Sequence, residues 1–228
     1  MKRVLSLSMM LFVIVMNAMA QSDGIQRSQD RFCIASNGST ATIVVDENDW
    51  KGVLRAANDL GDDVRKVTGT AAPVVECKSL TSHLSSLTSI YVGTIGKSHA
   101  IDKLIRQKKI DVKKVRGQWE SYLIDVVDGN LVIAGSDKRG TIYGIYEISQ
   151  RIGVSPWYYM ADAPVKHQDE VWYDGGRIVQ PSPKVKYRGI FINDEWPSFG
   201  GWCTNKFGGV NSKAYAHIFE LLLRLKAN

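Results

Sequence analysis

The stretch VKYRGIFINDEWPSFGGWCTNKFGG, residues 185–209, places Asn193, Asp194 and Glu195 directly behind the apolar run GIFI, with Trp196 and Trp202 close after them. Carboxylates and a carboxamide can hold a hydroxyl group or a water molecule, and indole faces suit stacking on sugar rings. In a parallel sheet or barrel, side chains at the carboxyl end of a strand face the site, so Asn193, Asp194 and Glu195 are expected where catalytic and substrate-binding groups belong. Glu195 and Trp196 are weaker choices, because a residue beside a facing position tends to point away. The alternative is that Asp194 or Glu195 only caps a loop or carries a surface charge. One strand end cannot supply both an acid and a base on opposite sides of a substrate.

Two other motifs sit between a strand and a helix. GTIGKS (93–98) has the look of a phosphate-binding loop, but a Walker loop needs a glycine where Tyr91 stands, so the expectation is a tight turn. GSDKRGTIYGIYE (135–147) offers Asp137 as a helix cap, and Gly135, Gly140 and Gly144 as points of close helix packing. Lys138 or Arg139 could hold an anion there.

The positioning elements follow from periodicity. ATIVVD, APVVEC and SIYVGTIG read as strands, and the segment from Trp50 to Gly69 as a helix with Val53, Ala57, Leu60, Val64 and Val67 on one face. A second helix is expected from Ser98 to about Gln107 and a third from Thr141 to Ile152. SYLIDVV and LVIAGS around Asp128-Gly129-Asn130 read as a hairpin. Residues 21–165 are therefore expected to form an α+β domain of strands with helices laid against them. Gly175-Gly176, Pro181 and Pro183 mark 166–184 as a linker or short strand pair. YRGIFIND then reads as a buried strand, followed by a loop of seventeen or so residues and a helix from Ser212 with Ala214, Ile218, Phe219, Leu222 and Leu225 on its apolar face. Strand, loop and helix make one βα unit, expected to be loosely held and to continue in a longer protein.

Residues 1–20 differ from the rest. Lys2 and Arg3 precede the apolar run Leu5–Met16, and Ala18-Met19-Ala20 has the small residues of a cleavage site, the pattern of a signal peptide. The run falls short of the roughly 20 residues a spanning helix needs, and no lipoprotein cysteine follows it. Export to the periplasm or the cell exterior is the expectation, without a membrane anchor. Cleavage lowers the net charge from +6 to +4. The one basic cluster, Lys108, Lys109, Lys113, Lys114 and Arg116, has no interleaved aromatics, so a solvated face is expected rather than a nucleic-acid groove. Cys33, Cys77 and Cys203 leave at least one thiol unpaired, and with His83, His99, His167 and His217 they form no ligand spacing; neither metal nor cofactor is expected.

Three blocks, YRGIFINDEW, KFGGVNSKAYAHIFELLLRLKAN and GSDKRGTIYGIYEISQRIGVSPWYYMADAPV, resemble glycoside hydrolase family 115, the xylan α-glucuronidases. The resemblance implies that 185–228 is the first strand and helix of a truncated (β/α)8 barrel. It implies removal of glucuronic acid or 4-O-methylglucuronic acid from xylan or glucuronoxylan oligosaccharides with inversion, by a full-length protein that could form a homodimer. It adds Trp157 as a pocket wall from the first domain, beside Asn193 and Asp194, and it places the acid and base on later strands, so no catalytic residue is assigned here. The uronate carboxylate wants an Arg or Lys, with Arg139 one candidate. A non-catalytic carbohydrate-binding module using Trp157, Trp196 and Trp202, or a related barrel glycosidase such as a hexosaminidase, are the alternatives. Protein purified from its native exporting cell should begin at Gln21; N-terminal sequencing that finds an intact Met1 would contradict the reading of residues 1–20.

Overall fold

The computed structural model describes residues 31–77 and 88–228. The expected signal peptide and His83 lie outside them. The main sheet contains β3 (Thr42–Asp46), β4 (Val74–Cys77), β5 (Ser89–Thr94), β6 (Tyr122–Val127), β7 (Asn130–Gly135) and β9 (Ile178–Gln180), in the order β4-β3-β5-β7-β6-β9. The first four strands in that order run parallel, while β6 is antiparallel to both β7 and β9. A smaller antiparallel sheet holds β1 (Phe32–Ser36) between β2 (Ser39–Thr40) and β8 (Val171–Tyr173). Both strands of the expected linker thus find partners, one in each sheet.

Strand alternation sorts the core into two layers. Ile43, Val45, Ile90, Val92, Leu131 and Ile133 face α1 (Lys51–Thr68) and α3 (Lys138–Arg151). Val44, Tyr91, Val132 and Ala134 face α2 (His99–Arg106) on the other side. Because βα crossovers cover both faces of a parallel sheet, the domain is wound as an α/β fold, more regular than the α+β layer expected from the sequence. The five apolar residues expected on α1 are all buried, and Gly69 ends it with φ 84°. Asp128 and Gly129, both at positive φ, close the hairpin between β6 and β7. The Asp137 carboxylate accepts from the Gly140 amide and so starts α3 at Lys138, three residues before the expected Thr141. Gly140 itself is required: a Cβ there would stand 2.2 Å from the Ser121 carbonyl oxygen.

The last part of the chain differs most from expectation. YRGIFIND forms no strand; Tyr187, Phe191 and Trp196 are exposed, Phe191 at 86%. A strand exists only where its amides and carbonyls find a neighbour, and among the described residues this segment makes just one backbone-to-backbone bond, from the Asn228 amide to the Arg188 carbonyl at 3.0 Å, with the Arg188 amide donating to the Asn228 side chain at 3.2 Å. The expected long loop contains α4 (Phe199–Phe207), and α5 (Ser212–Arg224) follows as expected. The two glycines in FGGWCTNKF, each costly inside a helix, hide α4 from a propensity reading.

Nor is α5 loosely held. Arg224, with a side chain 2% exposed, forks onto Asp63 of α1 at 2.7 and 3.2 Å, and its Nε donates to Glu220 at 2.9 Å. The guanidinium lies over the rings of Tyr146 and Tyr158, and the Tyr158 hydroxyl donates to Glu220 at 2.9 Å. Burial alone would favour the neutral guanidine, but hydrogen bonding to and charge pairing with Asp63 outweigh it and hold the proton more firmly than usual. Just beyond the helix, Lys226 pairs with Glu147 at 2.6 Å. Replacing Arg224 with alanine removes the fork from the buried Asp63 and leaves it Lys66 Nζ, at 2.7 Å, as its remaining cation, which should cost about 2–4 kcal/mol of unfolding free energy. Urea denaturation showing a loss under about 1 kcal/mol, the scale of a surface pair, would contradict this account of how α5 is attached.

Candidate functional site

The docked α5 fixes one end of the segment that carries the polar and aromatic residues. At its beginning, Arg188 is clamped by Glu120, a buried carboxylate that also accepts from the side chains of Arg139 at 3.5 Å and Asn228 at 3.0 Å. Arg139, one candidate for holding an anion, is therefore partly engaged by Glu120. Between the Arg188 clamp and α4, Asn193 Nδ2 donates to Glu195 Oε1 at 2.8 Å. Asp194 Oδ1 accepts from the Tyr215 hydroxyl of α5 at 3.4 Å. The structure thus joins Asn193 to Glu195 and Asp194 to α5. All three side chains are solvent-accessible.

Trp196 is 70% exposed, and its indole lies against the backbone of Gly200, where a Cβ would be 2.7 Å from the ring. The Glu195 carbonyl accepts the Gly200 amide at 3.0 Å, tying this turn to the start of α4. Trp202, expected to be a stacking platform, instead packs on Phe199 and Phe207. Trp157 is half-exposed on the turn before β8; its neighbours Tyr158 and Tyr159, rather than Trp157 itself, reach α5.

That contact identifies residues the sequence reading passed over. Tyr159 stacks flat on His217, with centroids 3.9 Å apart and planes 7° apart, and Phe207 lies 5.5 Å from the same imidazole. Lys206 Nζ sits over Tyr159 at 5.3 Å and Trp202 at 5.8 Å. No local signal marks this contact, because His217 stands two residues from both Tyr215 and Phe219 and faces away from them on α5; the histidine had been weighed only as a metal ligand. Cys203 lies buried near this cluster. Burial pushes its thiol pKa up and the Asp194 carboxylate adds to the shift, both of which disfavour the nucleophilic thiolate.

Chemically, the arrangement offers an open indole, an accessible carboxylate held by a tyrosine, and a carboxamide–carboxylate pair, all on one short segment. These groups suit hydrogen bonding and stacking to a saccharide.

Comparison with known proteins defines the class first. Residues 24–148 match the sequence model of the glycosyl hydrolase family 67 N-terminus, and residues 180–228 match that of glycosyl hydrolase family 115. The class is that of the glycoside hydrolases. The chain belongs to the family of the glycosyl hydrolase family 67 N-terminus, through a match over more than half its length, and its resemblance to family 115 is carried by the segment that bears Asn193, Asp194 and α5. Among solved structures, a family GH115 4-O-methyl-α-glucuronidase, BtGH115A, described as having specificity for decorated arabinogalactans, is 34% identical over 86% of this chain, with a TM-score of 0.70. This chain spans 25% of that one. A β-hexosaminidase of Streptomyces plicatus aligns over 70% of this chain and 25% of its own at 16% identity, with a TM-score of 0.42. No curated protein matches the chain closely enough to be counted a relative.

Alanine at Gly200 should displace the Trp196 indole at little cost in stability, because an exposed ring can swing away. Near-ultraviolet circular dichroism should change while the thermal midpoint moves by no more than about 2 °C. An unchanged aromatic spectrum would show that the indole does not rest on Gly200 in solution.

Proposed function

We propose that this chain is the N-terminal part of an exported α-glucuronidase that removes glucuronic acid or 4-O-methylglucuronic acid side groups from a polysaccharide with inversion. The observation that carries the reading is the 34% identity to a 4-O-methyl-α-glucuronidase over 86% of this chain, with the fold matched at the same time. Xylan is the substrate the sequence resemblance implies. The specificity described for that relative favours a second choice, a decorated arabinogalactan, in which the same uronate is carried on a different backbone.

In this reading, residues 187–194 take up strand pairing in the complete enzyme as the first strand of a (β/α)8 barrel, and α5 is the helix that follows it. The exposed Phe191 and Ile190 are the side chains such pairing would bury. Asn193 and Asp194 then stand at the carboxyl end of that strand, facing sugar hydroxyls or the attacking water, with Trp157 and Trp196 as walls. An inverting glycosidase sets its acid and base about 6.5–9.5 Å apart across the scissile bond. Asp194 and Glu195 are chain neighbours, so the reading takes at least one of that pair from another strand. What Asp194 supplies is a charge-assisted hydrogen bond, aimed by Tyr215.

The 228-residue chain alone should show no hydrolysis of glucuronoxylan or of glucuronate-decorated arabinogalactan. In the full-length enzyme, Asp194→Ala should lower kcat/KM on aldouronic acids by about a hundredfold or more, the scale of a lost preorganised donor or acceptor. Lys113→Ala, on an exposed face, should leave it unchanged. An Asp194→Ala enzyme with near-normal kcat and KM would remove Asp194 from the pocket.

A further inference from the structure

The two strand-to-helix turns that the proposed function leaves unused, GTIGKS and GSDKRG, lie side by side in the fold. They emerge from the carboxyl ends of β5 and β7, next to the turn after β3 that carries Trp50. The chain leaves β3 through α1 on one face of the sheet and leaves β5 through α2 on the other. That reversal opens a crevice outside the carboxyl ends of the two strands, the place where open α/β sheets bind ligands. A cavity of about 400 Å³ occupies it, lined by Trp50, Thr94, Lys97, Ser136, Lys138 and Arg139 among others. Its size falls in the range of about 300–1,000 Å³ common to small-ligand sites. It shares Asp137 and Arg139 with a second cavity of about 660 Å³ that reaches Trp119, so the two could take more than one sugar residue.

The chemistry of the lining selects the ligand. Trp50 is 44% exposed, and Lys97 Nζ stands 4.1 Å and Lys138 Nζ 6.0 Å from its ring centroid. Neither lysine pairs with a carboxylate among the described residues, whereas the carboxylates nearby are already engaged. Asp49 accepts from the Trp50 amide and from the amide and hydroxyl of Thr94, each at 2.7 Å. Asp137 accepts from the amides of Gly140 and Glu120. The GTIGKS turn is no phosphate loop: the amides of Ile95, Lys97 and Ser98 bond to carbonyls and that of Gly96 to Asp102, so none of these four is free to cradle an oxyanion. What this side of the crevice offers is an indole face and flexible cations, which match a ring bearing one carboxylate better than a phosphate dianion.

We propose that this crevice is a second, non-catalytic site that binds a uronate-bearing oligosaccharide, with the sugar ring on Trp50 and its carboxylate on Lys97 and Lys138. The choice of a uronate among carboxylates rests on the glucuronidase reading; the cavity around Trp50 does not, since it is built from turns of the first domain and includes none of residues 185–228.

The test is a titration of the 15N-labelled chain with an aldotetraouronic acid, read residue by residue in amide spectra. Saturable shifts should develop at Gly96, Lys97 and Lys138–Gly140, with xylotetraose and inorganic phosphate each producing at least about tenfold weaker responses. Lys97→Ala/Lys138→Ala and Trp50→Ala, all at accessible side chains, should each weaken the uronate response at least about tenfold, the loss of one charge-assisted or stacking contact. No saturable shift at these amides, an equal response to xylotetraose or phosphate, or an undiminished response in the variants would overturn the proposal. Shifts confined to 193–196 would overturn it while leaving the glucuronidase reading intact, so the two readings fail separately.

Discussion

A buried guanidinium holds the two parts of this chain together. Arg224 belongs to α5, but its counter-charge, Asp63, belongs to α1, and both side chains are almost wholly shielded from water. A buried charge left without its partner is far more costly than an exposed one, so the fork specifies one seat for α5 on the first domain. Tyr146, Tyr158 and Glu220 complete the shell around it. From this seat follow the stacking of Tyr159 on His217, the reach of Tyr215 to Asp194, and the clamp of Arg188 between Glu120 and Asn228. The segment with the candidate binding groups is irregular, yet both its ends are anchored to a rigid scaffold.

The scaffold has its own internal tie. Asp49, after β3, accepts two hydrogen bonds from Thr94 at the end of β5, and the Thr94 hydroxyl meets that of Thr141 in the first turn of α3 at 2.8 Å. Three adjacent strand ends are thereby locked in register at the edge where their turns project. This locking leaves Trp50, Lys97 and Lys138 around a defined crevice instead of on independent loops. The fold therefore presents two candidate binding surfaces, one at the carboxyl ends of the parallel strands and one on the segment that α5 fixes.

Much of this was legible in the sequence where local signals and burial agree. The apolar stripe of α1, the Asp128-Gly129 turn and the Asp137 cap each state their structure within a few residues, and the structure follows them. What was not legible depended on partners distant along the chain. YRGIFIND has the composition of a buried strand, but composition cannot supply the neighbouring strand, and the segment is left irregular. In α4, two glycines mask a helix that Gly208, at φ 77°, brings to an end. Glu220 and Arg224 are an ordinary i,i+4 pair on paper; only Asp63, far off in sequence, turns them into an anchor. At the site, residue types pointed to Asn193 and Asp194, while Tyr215 drew no attention and His217 was weighed only as a metal ligand, because their roles are contacts to other elements.

The central claim is that the segment held by α5 forms part of a glucuronate pocket. A crystal structure of the full-length protein with a bound aldouronic acid tests it most directly. The account predicts the uronate ring within hydrogen-bonding distance of Asn193 or Asp194, with residues 187–194 paired as a strand. A uronate bound in the catalytic domain with both side chains remote from the sugar would contradict it.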